Sequence, residues 1–171
     1  MSKLILDSGP LITTCKFSVQ DLLLIDHLLR RCEIIVADSV RDEVVVAGVQ
    51  YRDAHAARQR IERGQIAVLS PPAVPDLGIV LGLYELGHGE RDSILLTEHA
   101  SLVDATLVLD DHLAYLVSDR LRRRKRFLLD VIVDLVRAEQ LAVELAVDMV
   151  SAIGTRYPSA FVEHTMLLLR R

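Results

Sequence analysis

The sequence predicts an α/β domain organised on a parallel sheet whose strand tips carry acids. Three observations lead there. Lys3-Leu4-Ile5-Leu6 suits a buried strand, and it stops at Asp7, ahead of Ser8-Gly9-Pro10. The same grammar recurs at Thr106-Leu107-Val108-Leu109, followed by Asp110-Asp111. Between and beyond these runs, short apolar stretches alternate with helical ones, the pattern of βαβ units. Open parallel sheets place ligands outside the carboxyl ends of their strands, so acids at two strand tips mark a site.

Taken in order, the chain supports this frame. After the first strand, 11–17 reads as a short helix and 21–31 as a longer one, with Asp21 near its start and Arg30-Arg31 in its last turn, as the helix dipole prefers. Glu33-Ile34-Ile35-Val36 is the second strand. Ser39 caps the next helix, with Asp42 three residues on and Glu43 in its first turns. A polar, Ala- and Arg-rich helix over 51–63 ends at Gly64, a suitable C-terminal stop. Residues 65–69 form the third strand, and the stretch from Ser70 to Pro75 is a rigid connector. A short helical piece leads to Gly87-His88-Gly89, and 90–100 is helical again. Residues 105–109 form the fourth strand and 111–123 the next helix. Phe127-Leu128-Leu129 reads as a short last strand. Three helical stretches close the chain, over 131–137, 143–153 and 159–169.

The 171 residues fit one domain, 1–171, with about 131–171 as its helical C-terminal extension. At 51% hydrophobic residues the chain can build a core without staples. Cys15 and Cys32 match no metal or redox spacing and read as reduced, buried thiols, as in a cytoplasmic setting. One lysine and a short apolar run ending at Asp7 do not make a secretory leader. No apolar run reaches the ~20 residues of a membrane span. A net charge of −4 excludes a uniformly basic nucleic-acid binder, so any contact with nucleic acid runs through a local patch or through cations.

Four acidic positions converge in this reading: Asp7, Glu43, the pair Glu90 and Asp92, and the pair Asp110 and Asp111. Each also has a structural reading: a strand end for Asp7, a solvated helix residue for Glu43, a helix start for Glu90 or Asp92, an N-cap for Asp110. Two strand-tip acids together are harder to explain that way. Clustered carboxylates need protons or a cation at neutral pH. An all-oxygen set favours Mg²⁺ or Mn²⁺, and no Cys/His arrangement has zinc spacing.

The ordered set Leu6-Asp7-Ser8, then Ser39-Val40-Arg41-Asp42-Glu43-Val44, then Gly87-His88-Gly89-Glu90-Arg91-Asp92-Ser93-Ile94, then Val108-Leu109-Asp110-Asp111 resembles the PIN-domain family. Gly154-Thr155-Arg156-Tyr157-Pro158-Ser159 with Phe161 is similar to the tail of a PIN subgroup, so the resemblance spans nearly the whole chain. It implies a three-layer α/β/α sandwich with a central parallel sheet. It also implies a Mg²⁺- or Mn²⁺-dependent endoribonuclease, either the toxin of a toxin–antitoxin pair or an orphan member, leaving a 3′-hydroxyl and a 5′-phosphate. Carried over, the acids are Asp7, Glu43, Asp92 in preference to Glu90, and Asp111 with Asp110 beside it. Asp7 and Asp111 would be direct metal ligands, with Asp92, Asp110 and Glu90 as further ligand positions. Glu43 would orient water or act as a base. Ser8 and Arg91 are the candidate phosphate contacts. RNA, an antitoxin and a second copy of the chain are the implied partners. Leu109 departs from the family, which often has Thr or Ser two residues before the fourth acid.

The competing reading is a PIN-like module that binds RNA or protein without cleavage. A receiver-type domain lacks its lysine, and a dinucleotide binder lacks the third glycine after Gly87-His88-Gly89. The dense basic run Arg120, Arg122, Arg123, Arg124, Lys125 and Arg126 would sit ~15–18 Å along a helix from Asp111, within reach of flanking nucleotides only. Aromatic residues are scarce (4%, no Trp), against an extensive base-stacking platform.

Overall fold

A computed structural model describes residues 1–170. Its elements in chain order are β1 (Ser2–Leu6), α1 (Ser8–Lys16), β2 (Ser18–Val19), β3 (Leu22–Leu23), α2 (Leu24–Leu29), β4 (Cys32–Ala37), α3 (Asp38–Arg41), α4 (Arg52–Glu62), β5 (Ile66–Leu69), α5 (Pro75–Gly82), α6 (His88–Leu96), β6 (Thr106–Val108), α7 (His112–Arg120), β7 (Lys125–Arg126), α8 (Leu128–Arg137), α9 (Val143–Ile153) and α10 (Ser159–Leu169). A π-helical turn, Asp42–Ala47, continues α3 directly.

Five strands form one parallel sheet in the order β5-β4-β1-β6-β7. Helices flank it, giving the α/β/α arrangement. β1, the first strand, lies in the middle, with Leu4–Ile5 opposite Ile34–Ile35 on one side and Leu4–Leu6 opposite Thr106–Val108 on the other. Central parallel strands are covered on both faces. Accordingly Ile5, Leu6, Ile34, Val36, Leu107 and Val108 are fully buried. The core cluster runs from Leu4 to Leu169 and takes in Ile132, Met149 and Ile153, so the C-terminal helices pack into the same core.

Several boundaries differ from the sequence expectation. The helix read from Asp21 starts only at Leu24, because a hairpin, β2–β3, precedes it. Its two-residue loop, Gln20-Asp21, has φ of 52° and 63°. Two positive φ values are those of a type I′ turn, whose twist suits a hairpin, but without glycine the turn left no mark in the sequence. The ring of His27 meets the Val19 carbonyl at 3.0 Å and ties the hairpin to α2. At the other end, Phe127-Leu128-Leu129 is not a strand. Lys125–Arg126 is the strand, Phe127 is the residue ahead of α8, and its amide donates to Asp130 at 3.4 Å. Gly64 ends α4 with φ 68°, as expected of it.

Candidate active site at the strand tips

Asp7 follows β1 and precedes α1, in extended conformation. Its amide donates to the Val108 carbonyl at 3.1 Å, which fixes the tip of β1 to the tip of β6. Its side chain is only 4% exposed. Burial pushes the carboxyl up from 3.8 to about 7; Glu90 and Glu43 add to the rise, while the Ser8 amide and the Ser93 hydroxyl oppose it. Ser93 donates to Asp7 Oδ1 at 3.4 Å.

Two neighbouring elements bring the other carboxylates. Glu43 stands in the π-helical turn, a feature common at functional sites, and its Oε2 accepts from the Ser8 hydroxyl at 2.7 Å. The first turn of α6 presses against that pair. A Cβ on Gly89 would lie 2.9 Å from Glu43 Oε2 and 3.0 Å from Ser8 Oγ, so a side chain there would push the Glu43 carboxylate aside. Glu90, in the same turn, lays its carboxylate over Gly87, the residue ahead of the helix. A carboxylate at a helix N-terminus is favoured by the exposed amides.

Within each of the two acid pairs the carboxylates stand in different surroundings. Glu90 and Ser93 are three residues apart and share one face of α6, and both act on Asp7. Asp92 lies about 100° round the helix from Ser93 and ~200° from Glu90. It is half-buried on α6, away from that face. Asp111 is exposed and caps α7, its Oδ1 accepting from the Ala114 amide at 2.7 Å. Asp110 faces inward. A Cβ on Gly9 would lie 3.5 Å from Asp110 Cβ, and Tyr157 donates to Asp110 Oδ2 at 2.8 Å. Burial raises the Asp110 carboxyl, while Tyr157, the Leu128 amide and Arg156 pull it back. Leu109 is completely buried, a core residue and not part of the site's edge.

Four contributors were not singled out from the sequence. Ser93 and Gly89 sit inside the quoted motif without a role, yet helical spacing from Glu90 marks their face. Tyr157 reaches Asp110 across 47 residues, which no local pattern reveals. Asp38 is a further strand-tip acid, after β4, but its carboxylate is taken by the Ser39 amide (2.9 Å) and the Ser70 hydroxyl (2.7 Å). Arg91 is half-buried in α6, its Nε without a hydrogen-bond partner.

Four of the six residues of the basic run are engaged within the fold. Arg123 pairs with Glu98, Lys125 with Asp119, and Arg126 with Asp134 at 2.7 Å. Arg124 donates to the Asp104 carbonyl, near the start of β6 and away from the strand tips.

Among the described residues, no group of three or more His, Cys, Asp or Glu side chains is arranged as a ready metal-ligand set. The donor chemistry nonetheless suits a hard cation. Asp7, Glu43 and Glu90 offer only carboxylate oxygens, and their mutual repulsion already acts on Asp7. The two glutamates are long side chains held by Ser8 and by the start of α6, and each can turn by rotamer change.

The sequence profile of the DUF3368 family, described as a PIN domain, matches residues 3–170. No curated protein matches the chain. A solved structure described as "A domain of a functionally unknown protein from Methanocaldococcus jannaschii DSM 2661" is 15% identical, covering 75% of this chain and 91% of that one, with a TM-score of 0.45. No helix among the described residues is long and apolar enough to cross a membrane.

Proposed function

The chain belongs to the PIN-domain family, and from that premise we propose that it is a metal-dependent endoribonuclease acting through the acids around Asp7. The observation that carries this reading is the state of Asp7. A buried carboxyl with two carboxylates beside it is pushed to about 7, the strained condition that a divalent cation relieves. Perturbed acids of this kind concentrate at functional sites.

Asp7, Glu43 and Glu90 would hold Mg²⁺ or Mn²⁺, with Asp110 as a fourth carboxylate on the β6 side. When bound, the ion supplies charge neutralisation at the scissile phosphate and a more acidic water. The chain's own groups do the rest. Ser8 orients Glu43 through its 2.7 Å hydrogen bond. Ser93 and the Val108 carbonyl fix Asp7. Glu43, exposed at the mouth of the site, is placed to accept a proton from water. Arg91, half-buried next to Glu90 on α6, would be the phosphate contact through its guanidinium. A toxin role, with an antitoxin or a second copy as partner in the cytoplasm, is the finer form of the proposal. Ile79 on α5 and Leu83 just after it, 69% and 79% exposed, give such a partner an apolar surface.

The test is cleavage of labelled single-stranded RNA with Mn²⁺, Mg²⁺ or EDTA, using wild type and Asp7→Asn. Cleavage that requires the ion and disappears with Asp7→Asn supports the proposal; cleavage unchanged by the substitution overturns it. The second reading, a non-cleaving RNA- or protein-binding module, is favoured by one observation: the described acids do not form a converged ligand set. It predicts neither cleavage nor Mn²⁺ binding that depends on Asp7.

A further inference from the structure

The chain has seven aromatic residues, three Phe and four Tyr, and the fold gathers four of them beside Asp110. Phe127 stacks on Tyr115 with ring centres 4.2 Å apart and planes 2° from parallel. Phe161 meets Phe127 edge-on at 5.9 Å and 74°. Tyr157 completes the group through its bond to Asp110. Phe127, Tyr157 and Phe161, together with Pro158, Leu129 and His112, line a cleft of about 200 Å³ with Asp110 in its wall, and Tyr115 backs Phe127 from outside the lining. Phe161 is 50% exposed at the cleft, an unusual position for a phenyl ring. The cleft therefore opens beyond the tip of β6, which neighbours the tip of β1 that carries Asp7.

We propose that this cleft is a nucleobase subsite: it takes one base of single-stranded RNA, stacked on Phe161 against Phe127, next to the phosphate held at the acids. The inference rests on the nuclease reading for its setting and deepens it by naming how the strand is gripped. Three features fit a base. The walls are apolar and aromatic, and stacking accepts every base. The His112 ring and the Tyr157 hydroxyl in the lining are polar groups that the edge of a base can meet. Arg156, whose charge acts on Asp110, stands beside the cleft and suits the backbone phosphate of the same nucleotide. A 4% aromatic content is thus too little for a platform along a strand, yet enough for one position.

The test uses single-stranded RNA carrying one 2-aminopurine, in EDTA so that nothing is cut, with fluorescence quenching as the sign of stacking. Wild type is expected to quench it saturably. Phe161→Ala is expected to weaken the interaction about tenfold, and Phe161→Tyr to restore it. Equal quenching by wild type and Phe161→Ala, or none by either, overturns the subsite. A change in sedimentation mass on Phe161→Ala with quenching intact would assign the cleft to a second copy of the chain and also overturn it. The two readings fail separately. Metal-dependent cleavage that needs Asp7 but ignores Phe161 removes the subsite alone. Phe161-dependent quenching without any cleavage removes the nuclease alone.

Discussion

Ser93 donates its hydroxyl hydrogen to Asp7, 86 residues earlier in the chain, at 3.4 Å in a fully buried setting. That bond ties α6 to the tip of β1, and it orients the face of α6 that also carries Glu90. The acids of the site are placed by this docking of helix on strand.

Asp7 makes the metal-free protein sensitive to pH. Its carboxyl is held at about 7 in the fold against an ordinary 3.8. The folded state keeps the proton longer than the unfolded state, so stability falls as pH rises through that window. The full loss, on the order of 4 kcal/mol, is present above pH 7 and absent below about pH 4. Asp7→Asn removes the buried charge. Thermal melts in EDTA should therefore show Asp7→Asn more stable than wild type at pH 8, by ~8–16 °C, with the gap shrinking towards pH 5. A gap independent of pH contradicts the assignment.

Glu90 and Asp92 should separate cleanly. Glu90→Gln removes a charge that acts on Asp7 and is expected to lower ion-dependent cleavage by about 100-fold. Asp92→Asn, on another face of α6, is expected to stay within about threefold of wild type, since it leaves that electrostatic environment in place. Cleavage rates at saturating Mn²⁺ decide; the reverse order would restore the family-based choice of Asp92.

Gly89→Ala should damage the site more than the fold. The added Cβ meets Glu43 Oε2 and Ser8 Oγ at about 3 Å, which forces the Ser8–Glu43 pair apart. Alanine favours a helix over glycine by ~1 kcal/mol, which offsets part of the strain. Urea unfolding is expected to shift by about 1 kcal/mol or less, while cleavage falls ~10-fold or more.

Tyr157→Phe tests the clamp on Asp110. It leaves Asp110 Oδ2 without the 2.8 Å donor, a loss of about 1–3 kcal/mol for a buried acceptor. Tyr157 holds the Asp110 carboxyl down against burial, so the variant's carboxyl rises further. The extra destabilisation is then fully expressed above that raised value and is lost as pH falls below the ordinary carboxylate range. Unfolding at pH 8 and pH 4 checks the sign.

Much of this architecture was legible because it is local. Apolar runs ending at Asp7 and at Asp110-Asp111 predicted two central parallel strands, and the apolar period of 143–153 and 159–169 predicted α9 and α10 to the residue. What escaped notice depended on distant contacts. Hairpin β2–β3 has a positive-φ turn made without glycine. β7 is only two residues long and basic, and it exists because β6 offers it an edge. Glu90 and Asp110 differ from Asp92 and Asp111 through what packs against them: Ser93's face of α6 in one case, Gly9 and Tyr157 in the other. Motif spacing brackets such a pair, and packing chooses within it.

The most direct measurement is a pH titration of the Asp7 side-chain carboxyl by ¹³C NMR, with and without Mg²⁺. A midpoint near 7 is expected in EDTA and, with Mg²⁺, a carboxylate already ionised more than a unit lower, because a bound cation stabilises the charged form. A midpoint near 4 that Mg²⁺ does not move would mean that Asp7 is neither strained by its neighbours nor a metal ligand, and the proposed site would fall.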